Sequence, residues 1–265
     1  MPPHLAAADE QIQQIYLTLG RAWGRQHWWP AQSRFEVIVG AFLTQNTSWS
    51  NVELAMRQLR AAKVLSVAGI RKISLQELEK LVRSSGYFRQ KAQRLKNFVS
   101  FLDEKYRGSL TRMFSQPTEK LREELLSLNG IGPETADSIL LYAGQHPVFV
   151  IDAYTRRLAA RHQIASDSAD YEGLRSVFER ALRDVPTSVE RGTFLPEGTA
   201  HPPSRMSRAK RCSTAQVFND MHGFIVGIGK NYCRKAEPDC EHCPLASLLP
   251  SPPRQGHRLI SPIMT

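Results

Sequence analysis

Leu128-Asn129-Gly130-Ile131-Gly132-Pro133-Glu134-Thr135-Ala136 lies between two stretches of helical periodicity and decides how the rest of the chain is read. Gly130 and Gly132 permit a tight turn with positive φ and no Cβ in the way. Pro133 suits the first turn of a helix, where no backbone N–H is needed. Ile131, between the glycines, is the apolar anchor. Such a helix start aims free N–H groups outward, and these bind a phosphate without reading a base. A Gly-x-Gly turn alone also describes an ordinary helix–turn–helix corner. The whole pattern is more specific. It predicts a hairpin that holds a nucleic-acid backbone through Gly130, Ile131, Gly132, Glu134 and Thr135.

Working outward, the chain reads as helix almost throughout. Apolar spacing predicts helices over Ala8–Trp23, Phe35–Leu43, Ser48–Ala62, Ser74–Ser84, Gln90–Lys105 and Thr118–Ser127. Glu134–Tyr142, Tyr154–His162, Tyr171–Arg183 and Gln216–Ile228 follow. Phe35–Leu43 is apolar nearly all round and should be buried. Ser74 with Glu77 forms a capping-box pattern. Val148–Asp152 is read as an extended connector. The expected class is all-α. Glu190–Ser213 has five Arg/Lys against two acids and three prolines, and reads as a flexible basic insertion. Residues 250–265 read as a disordered tail.

Composition narrows the class. The 265 residues, 42% hydrophobic, suffice for a substantial core. A formal charge of +10 favours a polyanionic partner such as nucleic acid. The apolar runs are too short for a membrane span. Three of the four cysteines crowd between 233 and 243, poor spacing for a disulfide framework and better spacing for a metal site in a reducing compartment. The expected address is cytoplasmic and nucleoid-associated.

LNGIGPETADSILLYA followed by VFVIDAYTRRLAARH resembles the helix-hairpin-helix (HhH-GPD) glycosylases of the endonuclease III superfamily. The resemblance runs from about Trp28 to Cys243, taking in FEVIVGAFLTQNTSWSNVELA and GYFRQKAQRLK. It implies two helical domains with a DNA cleft between them, one a six-helix domain over 36–142 ending in the hairpin and the other combining 1–35 with 143–249. It implies a base-excision DNA glycosylase acting as a monomer on double-stranded DNA that contains damaged bases. It also implies a catalytic aspartate shortly after the hairpin's second helix, which here is Asp152. A carboxylate there stabilises the positive charge that develops on deoxyribose and helps orient water. Asp152 also reads as the N-cap of the next helix, and both roles can coexist. Family members that cleave the strand carry a lysine in the hairpin. Glu134 holds that position, and a carboxylate forms no Schiff base, so efficient AP-lyase activity is not expected.

The arrangement Trp28-Trp29-Pro30 with Gln45-Asn46-Thr47-Ser48-Trp49 resembles the 3-methyladenine glycosylase III-like branch. That branch sandwiches an alkylated purine between aromatic rings, so Trp28, Trp29 and Trp49 are the expected base pocket. They read equally as core residues. Gln45 and Asn46 read either as helix-capping residues or as side chains that fill the gap left by a flipped base. Arg89, Lys91 and Arg94 read as phosphate contacts or as a solvated helix face.

Cys233-x6-Cys240-x2-Cys243 matches three of the four ligands of the family's [4Fe–4S] cluster. The fourth position is Leu249. Cys212, His242 or His257 could substitute. Zinc, or a site that has lost its metal, are the other readings. Two functional alternatives stand beside the alkylpurine glycosylase: an endonuclease III-type enzyme acting on oxidised pyrimidines or mismatches with lyase activity, and a non-catalytic DNA-binding module.

Overall fold

A computed structural model describes residues 3–166, 168–187 and 201–250. Among them the regular structure is entirely helical. Helix α1 spans Pro3–Trp23, α2 Arg34–Thr44, α3 Trp49–Ala61, α4 Val67–Lys72, α5 Leu75–Leu81 and α6 Phe88–Tyr106. Then come α7 Leu110–Phe114, α8 Thr118–Leu126, α9 Pro133–Ser138, α10 Ala153–Arg161, α11 Tyr171–Leu182 and α12 Ser213–Asn231. The helices expected from periodicity are present with shifted ends. The short helices α4 and α7 were not expected, being too brief to show a period. Val148–Asp152 is neither helix nor strand, as an extended connector should be.

Local chemistry sets the boundaries. The Ser33 hydroxyl accepts from the Glu36 N–H at the start of α2. The Ser74–Glu77 capping box is complete at the start of α5. Helix α2 is buried from Phe35 to Leu43, which fits its unbroken apolar sequence. Helix α12 is buried from Val217 to Gly229. A Cβ on Gly229 would lie 2.2 Å from the Tyr154 ring, so glycine there lets α10 seat closely on α12.

Helices α2 to α9 pack around one another, with α2 at the centre against α3, α6 and α9. Helix α1 lies on α11, and α10 on α12. Between these groups the expected plain helix Glu134–Tyr142 does not continue. After Ser138 it becomes a π-helical segment, Ile139–Gly144, packed against both α2 and α12. Such a segment widens the turn and re-aims its side chains. Tyr142 is thereby buried between the two groups.

The expected flexible insertion, 190–213, is described only from His201 on, and there it is not free. Met206 N–H donates to the Ala31 carbonyl at 3.0 Å and Ser204 Oγ to the Trp29 carbonyl at 3.2 Å. The segment straps the Trp28–Ala31 turn. Its prolines and polar residues gave no sign of that docking. The tail from 251 and His257 lie outside the described residues.

Candidate active site

Asp152 caps α10, with its side chain 14% exposed. Its Oδ1 accepts from the Thr155 backbone N–H at 2.7 Å and from Thr155 Oγ1 at 2.9 Å. Its Oδ2 is not part of the cap and lies 3.6 Å from His222 Nε2. The cap therefore engages one oxygen and leaves the other outside it. His222 and Tyr142 are both buried, and the Tyr142 hydroxyl bonds His222 Nδ1. Burial holds the imidazole below its ordinary pKa and the phenol well above its own.

Glu134 stands at the start of α9, reachable by solvent. Desolvation by the surrounding protein, and then the negative charge of Asp152, push its carboxyl up to about 7. A buried chain ties the hairpin helix to the Asp152 connector. Arg122 pairs with Asp137 at 2.7 Å. Tyr171 donates its hydroxyl to Asp137 at 2.9 Å and accepts from the Ile151 N–H at 3.3 Å.

The tryptophans converge. Trp28 and Trp29 centroids lie 5.0 Å apart, with Trp49 at 5.5 and 5.3 Å from them and Tyr142 at 5.3 Å from Trp29. Trp28 and Trp29 are buried, while Trp49 is half-buried and donates Nε1–H to Glu53 at 2.9 Å. The Lys230 ammonium lies 5.7 Å from the Trp28 ring and the His201 ring 5.6 Å from it. A cavity of about 350 Å³ opens beside Trp29 and Trp49, with Glu53, Met56 and His201 in its wall.

Gln45 and Asn46 part company. Gln45 donates to the Gly130 carbonyl at 3.0 Å and to Thr135 Oγ1 at 2.9 Å, and accepts from Arg94 at 2.6 Å. Its amide is fully engaged in locking the loop to the hairpin. Asn46 is exposed on left-handed backbone, φ 52°, and projects freely. Arg89 is exposed as expected. Lys91 is not: it is 1% exposed and donates to the carbonyls of Leu43 and Ser85 at 2.9 and 2.6 Å. Its expected phosphate contact is corrected on that ground, because its ammonium caps the end of α2. Burial, then the charge of Arg94, lowers its pKa to about 8. Sequence reading missed Tyr87, 67% exposed at φ 45° beside Gly86. An aromatic residue directly after a glycine in a basic stretch was the available signal. His222, Tyr142 and His201 carried no local signal.

Cys233, Cys240 and Cys243 line one small cavity together with Arg161, His162 and Leu249. Leu249 thus stands where a fourth thiolate would be needed. Cys212 is exposed at the far end of α12, about 28 Å away along a 19-residue helix. The exposed His242 ring is turned to Asp239 at 2.8 Å. Among the described residues no three His, Cys, Asp or Glu side chains are grouped to hold a metal ion. The donor set supplies three corners of a four-thiolate cluster and does not fit the complete group. Arg157 and Arg161 brace the loop, donating to the Cys233 carbonyl at 2.6 Å and to Cys233 Sγ at 3.2 Å.

Comparison with known proteins agrees with this architecture. Residues 39–184 match the profile described as HhH-GPD superfamily base excision DNA repair protein. The chain is 38% identical over 238 residues to a protein of Methanocaldococcus jannaschii named "Putative DNA repair glycosylase", covering 89% of this chain and 94% of that one. It is 26% identical over 213 residues to Thermotoga maritima endonuclease III, 79% of each. Among solved structures, Helicobacter pylori 3-methyladenine DNA glycosylase bound to 1,N6-ethenoadenine matches with a TM-score of 0.65 at 28% identity, covering 83% and 95% of the two chains. A non-covalent endonuclease III–DNA complex shares the fold, with a TM-score of 0.64 at 19% identity over 90% and 91%. No helix among the described residues is long and apolar enough to cross a membrane. The chain belongs to the HhH-GPD superfamily of base excision DNA repair proteins and is a DNA glycosylase.

Proposed function

We propose that this glycosylase removes alkylated purines such as 3-methyladenine from double-stranded DNA, as a monomer at the nucleoid, and leaves the strand uncut. The observation that carries the reading is the Asp152 oxygen outside the helix cap, joined through His222 and Tyr142 to a cluster of three tryptophans, with Glu134 in the hairpin where a lyase needs an amine. An alkylated purine is cationic and electron-poor, so it stacks well on indole faces. Glu53, bonded to Trp49, adds a negative charge at a cavity wall that also holds Arg57 and the Arg60–Glu36 pair. The kinship with the Helicobacter pylori 3-methyladenine enzyme, at 28% identity, supports the same substrate class.

In this mechanism the base rotates out of the duplex and seats against Trp28, Trp29 and Trp49. Asn46 and Tyr87 enter the stack from which it came. The N–H groups of Gly130, Gly132, Glu134 and Thr135, with Arg89, hold the flanking phosphates, while the Ile131 N–H closes the hairpin on the Leu128 carbonyl. The glycosidic bond breaks with its electron pair going to the purine, whose positive charge is thereby neutralised. Positive charge passes to the sugar, where Asp152 stabilises it. Water adds at C1′ and loses a proton, giving free base and an abasic site. Glu134 cannot form the imine on which strand cleavage depends.

Release of free base from alkylated, oxidised and mismatched duplexes, with strand integrity followed in parallel, tests the reading. Alkylated purine should be released by wild type and not by Asp152→Asn, which should still bind DNA. Release confined to oxidised pyrimidines would move the chain to the endonuclease III-type reading. Release of nothing would leave a DNA-binding module.

A further inference from the structure

We propose that His222 is a positioning residue for Asp152: its imidazole, oriented by the Tyr142 hydroxyl, presents Nε2–H to the carboxylate oxygen that the helix cap leaves free. The inference rests on the Asp152 reading above and goes beyond it. Asp152 Oδ1 is fixed by two bonds from Thr155. A carboxylate held at one oxygen still swings about χ2. Oδ2 faces His222 Nε2 at 3.6 Å, and that buried nitrogen has no hydrogen-bond partner in the free protein. A buried donor without a partner is costly, so one that persists beside a reactive carboxylate calls for an explanation.

The tautomer follows from the neighbours. Tyr142 bonds Nδ1, and Phe149 stands edge-on to the ring with centroids 6.3 Å apart. If the phenol donates to Nδ1, the imidazole proton sits on Nε2 and points at the carboxylate, which is attractive. The opposite tautomer would set a nitrogen lone pair against a carboxylate oxygen. Burial keeps the phenol protonated and the imidazole neutral, in line with the first arrangement. The Tyr142 ring also packs on Trp28 and Trp29, with centroids 6.4 and 5.3 Å away. The same contact chain therefore joins the aromatic cluster to the carboxylate.

The test uses a probe that ignores lesion identity. A duplex carrying a protonated pyrrolidine in place of one deoxyribose mimics the charge that develops on the sugar; a duplex with neutral tetrahydrofuran is the control. Wild type should prefer pyrrolidine, and Asp152→Asn should lose the preference. His222→Leu should lower the preference about tenfold, roughly the worth of one hydrogen bond to a charged group. His222→Gln, which keeps a donor, should restore most of it, and Tyr142→Phe should fall between. Affinity for tetrahydrofuran should not change. A wild-type preference in His222→Leu, or a glutamine variant as impaired as the leucine one, overturns the proposal. Should His222→Leu not fold, Tyr142→Phe decides: an undiminished preference there overturns it. If Asp152→Asn itself keeps the preference, the Asp152 reading fails and takes this proposal with it.

Discussion

Glu134 and Lys91 are both charged side chains whose surroundings differ from what their neighbours in sequence suggest. The Glu134 carboxyl is raised from 4.5 to about 7 by desolvation and by Asp152. A raised folded-state pKa means that folding favours the protonated form. Its stabilising contribution is full below the unfolded value and is lost as pH rises through the folded one. Glu134→Gln should therefore melt with wild type at about pH 4 and above wild type at about pH 8, by scanning calorimetry. A gap independent of pH would show that folding does not raise the Glu134 carboxyl. Lys91 gives the complementary case. Lys91→Met should cost about 1–3 kcal/mol of stability by leaving buried carbonyls unpaired, with the salt dependence of DNA binding unchanged. Arg89→Ala should leave stability alone and reduce the salt slope by about one.

At the scale of elements, the hairpin is held from behind. Gly130 has φ 83°, and a Cβ there would lie 1.9 Å from Arg94 Nε. Arg94 in turn grips Gln45, which donates back to the Gly130 carbonyl. Gly130→Ala should lose about 1–2 kcal/mol from the left-handed backbone alone, and DNA affinity should fall with it, because Arg94 and Gln45 must both move. An alanine variant with wild-type melting and affinity would refute this coupling. The cysteine loop is the other element with a clear expectation. It is closed by Arg157 and Arg161 and lacks a fourth thiolate at Leu249. The purified protein should be folded, colourless and iron-free. Stoichiometric iron with an absorption band near 400 nm would contradict that.

Across the whole molecule, contiguous features were legible in sequence and assembled ones were not. The hairpin, the Ser74–Glu77 box and the Asp152 cap are each written within a few residues, so their geometry follows from local rules. The tryptophan cluster was legible only as a set of residue types: Trp28 and Trp29 are 21 and 20 residues from Trp49, and Tyr142 joins them through a π-helical turn that periodicity reads as plain helix. Tyr142 and His222 stand 80 residues apart. Lys91 misled because a basic cluster in sequence does not say which member faces inward. The strap from His201 to Cys212 misled because prolines and charges describe a chain without regular structure, which differs from a chain without contacts.

The proposed function turns on Asp152 stabilising the sugar as the glycosidic bond breaks and on Glu134 leaving the strand uncut. A single-turnover reaction on duplex DNA containing 3-methyladenine, resolving free base from nicked strand with a borohydride-trapping arm, tests it most directly. The account predicts released base, an intact strand until alkali is added, trapping at background, and loss of release in Asp152→Asn. Strand cleavage in step with base release, with covalent trapping, or undiminished release by Asp152→Asn, would contradict it.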